Sequence, residues 1–458
     1  MGIRTIERTL GITLYPDIPA GFFPAQFSFP DVVFQAEASV ITLAVIALLI
    51  IALLGAPLFV VLASGGLLAS FASDISPDIL IIEMNRLASS PNMLAIPLFT
   101  FAGVMMAGGG APRRLVNFYN AAFGWLPGGL AIVTIGACAF FTTFSGASGV
   151  TILALGGLLY PILKSEGYGE NFSLGLLTTS GSLGLLFPPS LAILVYGIVA
   201  GVGIDQLFLA GLVPGVVLML ILAAYSMLRG TRFNVTHHTF ELAKLFSAMR
   251  ASAWDLFLPI GVVLGIFGGF VSIMEAAAAT AAYVMFIEVV IYREINLQTQ
   301  LYKLTVETCI LFGSLLAILL VALGLTNLLI DAQLPMKLLA MIEQHISSPV
   351  QFLILLNLFL LVVGAMMDIF SAIVVVVPLI LPLAARYGVD PIHLGIIFLA
   401  NLEIGYSTPP VGINLFIASQ RFGKSIVTLF RSTLPFLLLM MVWLILVTYI
   451  PALSLWWQ

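Results

Sequence analysis

Charged residues are scarce in this sequence. Only 8% of its 458 residues are Asp, Glu, Lys or Arg, and 61% are hydrophobic, whereas about 25% of the residues of a soluble domain are charged. Three stretches carry no charged residue at all: Leu115–Leu163, Asn171–Ile204 and Gln206–Leu228. Each is long enough for at least one spanning helix of about 20 residues. The composition excludes a soluble globular domain and predicts an all-α polytopic membrane protein.

Net charge, cysteine content and the N-terminal sequence exclude further classes of protein. The net charge of −4 is small and scattered, which argues against a nucleic-acid partner. The two cysteines, Cys138 and Cys309, lie in apolar runs, so we expect small core residues and not a disulfide or a metal pair. Residues 1–38 lack the basic start and the small-residue cleavage site of a signal peptide. We expect them to form an amphipathic lead-in to the first span.

An internal repeat organises the rest of the chain. A shift of 221 residues, without a gap, places glycines and prolines of the first half on those of the second. The matched positions are Gly103 with Gly324, Pro161 with Pro382, Gly167 with Gly388, Gly184 with Gly405, Pro188 and Pro189 with Pro409 and Pro410, and Pro214 with Pro435. Because Gly and Pro mark backbone shape, this register predicts two copies of one structural unit.

The two copies divide into the same segments. In the first copy we expect spans near 39–55, 57–73 and 91–108, an amphipathic arm near 113–123, a re-entrant hairpin with limbs 128–144 and 150–163, a broken helix over 171–201 and a span at 207–228. In the second we expect spans near 255–271, 273–292 and 305–330, an arm near 336–345, a hairpin that turns at 364–371, a helix at 391–402 that then breaks, and a span at 426–450. The hairpin limbs are shorter than the membrane core of about 30 Å.

Five full crossings in each copy would invert the second copy relative to the first. The predicted domains are a lead-in (1–38), a first inverted repeat (39–228), a cytoplasmic linker (229–253), a second inverted repeat (254–450) and a C-terminal tail (451–458). With both termini on the periplasmic side, the inner loops hold Arg113, Arg114, Arg229, Arg232, Lys244, Arg250, Arg293, Lys303, Arg421 and Lys424. This distribution agrees with the positive-inside rule.

Corresponding segments of the two copies contain Pro-Pro in an apolar setting. They are "GSLGLLFPPSLAI" at Gly181–Ile193 and "EIGYSTPPVGINL" at Glu403–Leu415. A proline breaks a helix and frees carbonyl groups, and these groups need partners inside a membrane. A simple packing kink is one interpretation. Discontinuous helices at corresponding positions of inverted halves favour the other, which is an ion and substrate site near the membrane midplane.

Polar residues gather at the same places. The hairpin turns hold Ser145, Ser148, Asp368 and Ser371, and the breaks hold Ser180, Ser182, Asn401, Glu403, Ser407, Thr408 and Asn414. Oxygen ligands suit a hard cation such as Na⁺, and a carboxylate at membrane depth is a functional candidate. Two structural alternatives stay open: the small residues at 145–149 serve close helix packing, or Glu403 lies near the surface and is solvated.

Longer motifs resemble a known family. In the first copy they are "LAIPLFTFAG" (Leu94–Gly103), "FSGASG", "YPILKSEGY" and "GSLGLLFPPSLAILVYG", and in the second "GAMMDIF", "LPLAARYGVDPIHLGIIFLANLEIG" and "TPPVGINLF". Over residues 40–450 the chain resembles the large, DctM-type membrane subunit of tripartite ATP-independent periplasmic (TRAP) transporters. Residues 1–38 lie outside the resemblance.

The resemblance implies a Na⁺-coupled importer of the bacterial inner membrane that works by an elevator mechanism. It also implies three partners: a small four-helix membrane subunit of the DctQ type on a separate chain, a periplasmic substrate-binding protein, and a small organic acid such as a C4-dicarboxylate or sialic acid. Carried over by motif, the first sodium site comprises Ser145, Gly146, Ser148, Gly184 and Pro188. The second comprises Gly364, Asp368, Gly405, Thr408 and Pro409. The substrate is expected between the two hairpin tips, with polar contacts from Ser182, Ser190, Asn401, Glu403, Ser407 and Asn414.

One departure from an anion site leaves alternatives open. No Arg or Lys lies at either hairpin turn or helix break, so an organic anion would depend on helix termini and bound Na⁺. A stand-alone ion-coupled anion transporter of the same architecture is the main alternative, and a channel is the next. An enzyme is not expected, because no His or Cys lies near the polar clusters. No cofactor is expected besides Na⁺ as the coupling ion.

Overall fold

The computed structural model describes residues 43–48, 50–51, 56–72, 91–230, 240–331 and 348–458, with a few isolated positions between them. The chain divides into two compact units, Met1–Ile75 and Ser76–Gln458. The first unit contains helix α1 (Leu58–Ala72). The predicted lead-in (1–38), the arm near 336–345 and part of the span at 39–55 lie outside the described residues.

The second unit is helical, with no strand in the described ranges. Its helices in the first copy are α2 (Ala95–Gly108), α3 (Ala111–Phe123), α4 (Gly129–Ser145), α5 (Ser148–Ser165), α6 (Glu170–Ser180), α7 (Leu191–Ala200) and α8 (Ile204–Gly230). Next come α9 (Leu242–Ala251), α10 (Ala253–Phe267), α11 (Ile273–Phe286, continued by a π turn, Ile287–Ile291), α12 (Gln300–Asp331), α13 (Pro349–Met366), α14 (Ile369–Arg386), α15 (Pro391–Gly405), α16 (Ile413–Phe422) and α17 (Ile426–Tyr449).

Seven of the helices in the described residues are long and apolar enough to cross a membrane, or up to ten if each bent pair of helices counts as one span. This confirms the predicted all-α polytopic class. The helix boundaries follow the 221-residue register closely: α5 and α14 begin and end at matched positions, and each neighbouring pair departs from it by a few residues at most. The opposite orientation of the second copy stays a prediction.

Two details differ from the sequence expectations. The second limb of the first hairpin, α5, has 18 residues and runs to Ser165, so it is longer than the predicted 150–163. Polar Lys164 and Ser165 continue the helix because they lie at its exposed end. Cys138 is buried as expected, but Cys309 is exposed on α12. An apolar run in a membrane helix also has an outward face, so apolar sequence alone does not place a residue in the core.

Helices of the first copy pack against helices of the second copy. Helix α5 of the first copy packs against α16 of the second, and the matched pair, α7 with α14, repeats this contact in reverse. In the same way α6 packs against α17, and α8 against α15. Polar contacts cross between the copies as well: the Tyr196 hydroxyl donates to the Pro391 carbonyl at 2.8 Å, and Trp443 Nε1 donates to the Pro214 carbonyl at 2.9 Å. The second limb of each hairpin therefore packs against the broken helix of the other copy, whereas the first limb packs against the broken helix of its own copy.

Arg114 fixes the arm α3 to the second copy. Its guanidinium pairs with Asp255 on α10 and with Glu288 after α11, both at 2.7 Å, and also with Glu294. The ring of Tyr292 lies 3.5 Å from the guanidinium carbon. Asp255 and Glu288 are 2% and 1% exposed, so one guanidinium with a single positive charge pairs with two buried carboxylates.

Replacement of Arg114 tests this packing. Arg114→Ala leaves buried carboxylates without a cation, and breaking a buried ion pair costs about 3–5 kcal/mol. We expect a clear fall in the unfolding temperature of the purified protein, followed by intrinsic fluorescence. Arg113→Ala is the matched control, because Arg113 is exposed on the same helix turn and surface substitutions change stability by about 0.5 kcal/mol or less. Equal effects of the two changes would contradict the assignment.

Candidate functional site

The first hairpin turns within four residues. Helix α4 ends at Ser145, Gly146 takes a left-handed conformation (φ 64°), and α5 begins at Ser148. A side chain at Gly146 would be strained at this φ and would collide with Leu191 at the start of α7. Ser145 and Ser148 are both buried. The turn is a closed tip inside the protein.

The first helix break lies beside this tip. Helix α6 ends at Ser180, a 3₁₀ turn follows at Leu183–Leu186, and α7 begins after the cis peptide bond between Pro188 and Pro189. Ser190 caps α7 and accepts a hydrogen bond from the Ile193 backbone N–H at 3.5 Å. Apart from the half-buried Phe187, the break is buried.

Two threonine hydroxyls of α4 lie beside carbonyl groups of the break, and each also lies 2.8 Å from a carbonyl oxygen of α4 itself, Cys138 for Thr142 and Ala139 for Thr143. Thr142 Oγ1 lies 2.8 Å from the carbonyl oxygen of Gly181 and 2.7 Å from Thr151 Oγ1. Thr143 Oγ1 lies 3.3 Å from the carbonyl oxygen of Gly184. These threonines are absent from the predicted site. The available signal was two adjacent hydroxyl residues in an apolar run directly before the hairpin turn.

The second tip is built differently. Helix α13 ends at Met366, and Asp368 caps α14 by accepting hydrogen bonds from the backbone N–H groups of Phe370 and Ser371 at 3.0 Å and from the Ser371 hydroxyl. The alanine at the matched position of the first hairpin, Ala147, provides no such cap. Asp368 therefore has a local structural role whether or not it also binds an ion.

The second break is joined to this tip through the backbone. Helix α15 ends at Gly405, the peptide bond between Pro409 and Pro410 is cis, and α16 begins at Ile413. The carbonyl oxygen of Ala365 accepts from the N–H groups of Val411 and Gly412 at 3.2 and 3.0 Å. A Cβ atom added at Gly405 would collide with the backbone of Gly364, so these two predicted site glycines let α15 approach α13 closely.

Ser148 and Asn414 join the two copies at the candidate site. The Ser148 hydroxyl donates to Asn414 Oδ1 at 2.7 Å, and Asn414 Nδ2 donates to the carbonyl oxygen of Thr178 at 3.4 Å. Asn414 follows the second break, whereas Ser148 and Thr178 belong to the first copy. The first tip is thus hydrogen-bonded to a residue of the second copy.

The predicted sodium-site residues form two groups in the structure. Ser145, Gly146, Ser148, Gly184 and Pro188 are all buried around the first tip and break. In the second group Gly364 and Gly405 are buried, Asp368 and Thr408 are partly exposed, and Pro409 is exposed. The described residues contain no group of three or more His, Cys, Asp or Glu that could hold a metal ion. The possible ligands are hydroxyl and carbonyl oxygens in the first group, and the second group adds the Asp368 carboxylate; oxygen ligands of this kind suit a hard cation.

The predicted substrate residues are more dispersed. Ser182, Ser190, Ser407 and Asn414 lie in or next to the two breaks and are buried. Asn401 does not reach the tips: its side-chain amide donates to Asn357 Oδ1 at 2.7 Å. Asn357 lies nine residues before the end of α13, about 14 Å along the helix. The structure therefore brings four of the six residues to the breaks and places Asn401 in a separate polar contact.

Glu403 is the most unusual polar group near the second break. It is 0% exposed, and neither of its carboxylate oxygens has a hydrogen-bond partner among the described residues. The alternative of a solvated surface residue is excluded for this structure. Asn401 lies two residues earlier on α15, about 200° away around the helix, so Glu403 points away from the Asn401–Asn357 contact. A buried carboxylate of this kind is a functional candidate.

The long apolar helices and the paired hairpins and breaks define a multi-pass helical membrane protein with the architecture of a transporter. A family model described as "Tripartite ATP-independent periplasmic transporter, DctM component" matches residues 42–453. The chain belongs to this family.

Named relatives agree with the family. The chain is 36% identical over 394 residues to the C4-dicarboxylate TRAP transporter large permease protein DctM of Pseudomonas aeruginosa, with 86% of this chain and 92% of that protein covered. It is also 36% identical over 364 residues to the isethionate TRAP transporter permease protein DctMQ of Oleidesulfovibrio alaskensis, with 79% of this chain and 57% of that protein covered. The names of these relatives indicate a transporter permease and not an enzyme.

A solved structure supports the fold. The YdaH transporter of Alcanivorax borkumensis superposes with a TM-score of 0.57 at 13% identity, and the match covers 81% of this chain and 86% of that one. At this identity the likeness concerns the fold alone, and it agrees with an all-α membrane transporter.

The contact of the first break with α4 can be tested at Gly184. A Cβ atom at this position would collide with backbone atoms of Ala139 and Thr143, which cannot move as a flexible side chain can. We expect Gly184→Ala to cost about 1–3 kcal/mol of stability, as overpacking does, and to reduce substrate uptake about tenfold or more. Gly313→Ala is the matched control, because Gly313 lies within α12 with nothing within 4 Å of an added Cβ. Uptake and thermal unfolding are measured for both. A wild-type-like Gly184→Ala variant would show that the break does not depend on close contact with α4.

Proposed function

We propose that this chain is the permease subunit of a TRAP transporter that imports a small organic acid together with Na⁺. The observation that carries the proposal is the pairing of each hairpin tip with a helix break, which brings hydroxyl and carbonyl oxygens together inside the protein. Discontinuous helices supply such groups to ions and substrates in secondary transporters. Ser145, Ser148 and the carbonyl oxygen of Gly184 would belong to one Na⁺ site, and the Gly364–Asp368 tip with Thr408 to the other.

The substrate would lie between the two tips. Relatives are named for C4-dicarboxylate, isethionate, ectoine and sialic acid, which are small polar organic molecules, most of them acids. The breaks of this chain carry neither Arg nor Lys. A carboxylate would therefore interact with helix N-termini, backbone N–H groups and the Na⁺ ions. Four of the predicted substrate residues lie in or next to the two breaks and would contact the substrate: Ser182, Ser190, Ser407 and Asn414.

Transport would follow an elevator mechanism in the inner membrane. The substrate would arrive on a periplasmic binding protein, and a small DctQ-type membrane subunit would brace the permease. The family implies partners of both kinds. One relative carries the name DctMQ and is much longer than the matched segment, which is consistent with fusion of the two membrane subunits in that protein. In the present case we expect the small subunit on a separate chain.

The proposed driving force is the sodium gradient. Two Na⁺ ions that enter at 100 mV release about 4.6 kcal/mol, and a tenfold gradient adds about 1.4 kcal/mol for each ion. The total of about 7.4 kcal/mol would support roughly 10⁵-fold accumulation of a neutral substrate. A dianion would accumulate less, because the membrane potential opposes its entry.

Uptake into proteoliposomes tests this proposal. The permease is reconstituted with its small subunit, and the binding protein and substrate are supplied outside. We expect saturable uptake that needs an inward Na⁺ gradient and the binding protein. Undiminished uptake with Na⁺ absent on both sides would contradict Na⁺ coupling. Saturable Na⁺-driven uptake without any binding protein would instead favour a stand-alone transporter.

Two aspartates that cap helices allow the capping role and the ion-binding role to be tested separately. Asp368 caps α14 at the second tip, whereas Asp390 caps α15 away from it by accepting from Ile392 and His393 N–H groups. Asn caps a helix about as well as Asp, so both Asp→Asn changes should leave stability nearly unchanged. We expect only Asp368→Asn to raise the Na⁺ concentration for half-maximal uptake, by about tenfold. Equal Na⁺ dependence in the two variants would assign Asp368 a purely structural role.

A further inference from the structure

A cleft with two arginines lies away from the hairpin tips. It has a volume of about 510 Å³ and opens between the start of α6, the end of α8 and the start of α17. Its lining residues are Gly169, Glu170, Asn171, Phe172, Tyr225, Arg229, Arg431, Ser432, Pro435 and Phe436. The 11 residues of α6 separate it from the first break, about 16 Å along the helix axis. The cleft is therefore distinct from the proposed transport site.

Two arginines give this cleft a positive charge. Arg229 Nε donates to the Tyr225 hydroxyl at 3.0 Å, which orients the guanidinium and leaves its other nitrogens available. Arg431 has no hydrogen-bond or ion-pair partner in the described part of the chain. The nearby carboxylate of Glu170 is already paired with Lys424. The arginines are thus not neutralised within the cleft.

The floor of the cleft is aromatic. The rings of Phe172, Tyr225 and Phe436 contact one another, with centroids 5.3 to 6.2 Å apart. Phe172 and Phe436 are buried. An apolar floor below two guanidinium groups suits a ligand with a charged head and an apolar body.

An exposed apolar stripe runs from Arg431 along α17. Leu434, Leu438, Val442 and Ile445 follow Arg431 at helical spacing and are 44%, 61%, 55% and 54% exposed. From Leu434 to Ile445 the stripe covers 12 residues, about 17 Å, which is close to one leaflet of a core of about 30 Å. Exposed apolar residues of a membrane-spanning helix contact lipid in any case, so the stripe alone specifies no ligand. Because it begins three residues after Arg431, a lipid whose headgroup lies in the cleft can place an acyl chain along it.

We propose that the cleft binds an anionic phospholipid, with its phosphate between Arg229 and Arg431 and one acyl chain along the stripe on α17. Arginine suits phosphate because its planar guanidinium offers several donors in a fixed geometry. Basic pockets between membrane helices on the cytoplasmic side bind anionic headgroups. The basic residues of the sequence predict that this end of the protein faces the cytoplasm. The ligand chemistry is a phosphate ester, and the position of the stripe beside Arg431 favours a lipid as its source.

The test measures lipid binding and not transport, so it stands apart from the proposed function. The full chain is purified and titrated with phosphatidylglycerol or phosphatidylcholine in mixed micelles, and thermal unfolding and native mass spectrometry report binding. We expect phosphatidylglycerol alone to raise the unfolding temperature. Arg229→Gln and Arg431→Gln should each raise its half-saturating concentration about tenfold, as expected for loss of a charge-assisted hydrogen bond. Arg250→Gln is the matched control, because Arg250 is exposed on α9 outside the cleft.

Further variants and ligands in the same experiment identify what the cleft binds. Leu438→Gln should weaken phosphatidylglycerol binding without removing a charge. Glycerol 3-phosphate, which lacks acyl chains, should have little effect. Equal stabilisation by the two phospholipids, or unchanged binding in the Arg229→Gln/Arg431→Gln double variant, would overturn the proposal. Equal stabilisation by glycerol 3-phosphate would assign the cleft to a soluble anion. A photo-crosslinker at position 438 that captures another membrane protein in cells, and no lipid, would assign the stripe to a protein interface and would also overturn it.

Discussion

A helix broken inside a membrane leaves backbone groups that water cannot satisfy, and the structure around the candidate site follows from this constraint. At the first break, hydroxyls of Thr142 and Thr143 lie beside the carbonyl oxygens of Gly181 and Gly184. At the second, the carbonyl oxygen of Ala365 receives two N–H groups from the loop. Each hairpin is the source of partners for a break, and this explains why hairpins and breaks occur together in both copies.

The same constraint is met differently in the two copies. The first tip and break are buried, and side-chain hydroxyls provide the contacts. The second tip depends on backbone contacts and on the Asp368 cap, and Pro409 and Pro410 are exposed. The second copy also contains Glu403, a carboxylate without a partner among the described residues, where the first copy has Ser182. Similar backbones in the two copies therefore carry unequal polar side chains.

Much of the helical segmentation could be predicted, because Gly and Pro mark backbone breaks and the 221-residue register gives two readings of each boundary. The sequence could not identify Thr142 and Thr143 as partners of the break, since a hydroxyl in an apolar run also occurs in ordinary helix packing. Arg114 was predicted only as an inner-loop cation, because its partners Asp255 and Glu288 are distant in sequence. Proximity along the chain places Asn401 with the break, but the helical turn directs its side chain to Asn357. The packing between the copies could not be predicted either, because an apolar helix face does not specify the helix that packs against it.

The central claim is that the second limb of each hairpin packs against the broken helix of the other copy, and the Ser148–Asn414 contact tests it most directly. Cys138 and Cys309 are replaced by alanine, Ser148→Cys and Asn414→Cys are introduced, and a protease site is inserted between the two copies in the linker 229–253. The Ser148 hydroxyl oxygen and Asn414 Oδ1 are 2.7 Å apart, which places cysteines at these positions within reach of a short bifunctional thiol crosslinker, so treatment in membranes should link the halves and the cleaved protein should run as one band. Either single cysteine should give two bands. Two separate halves from the double variant, with both cysteines reactive to a maleimide, would contradict the interleaved arrangement.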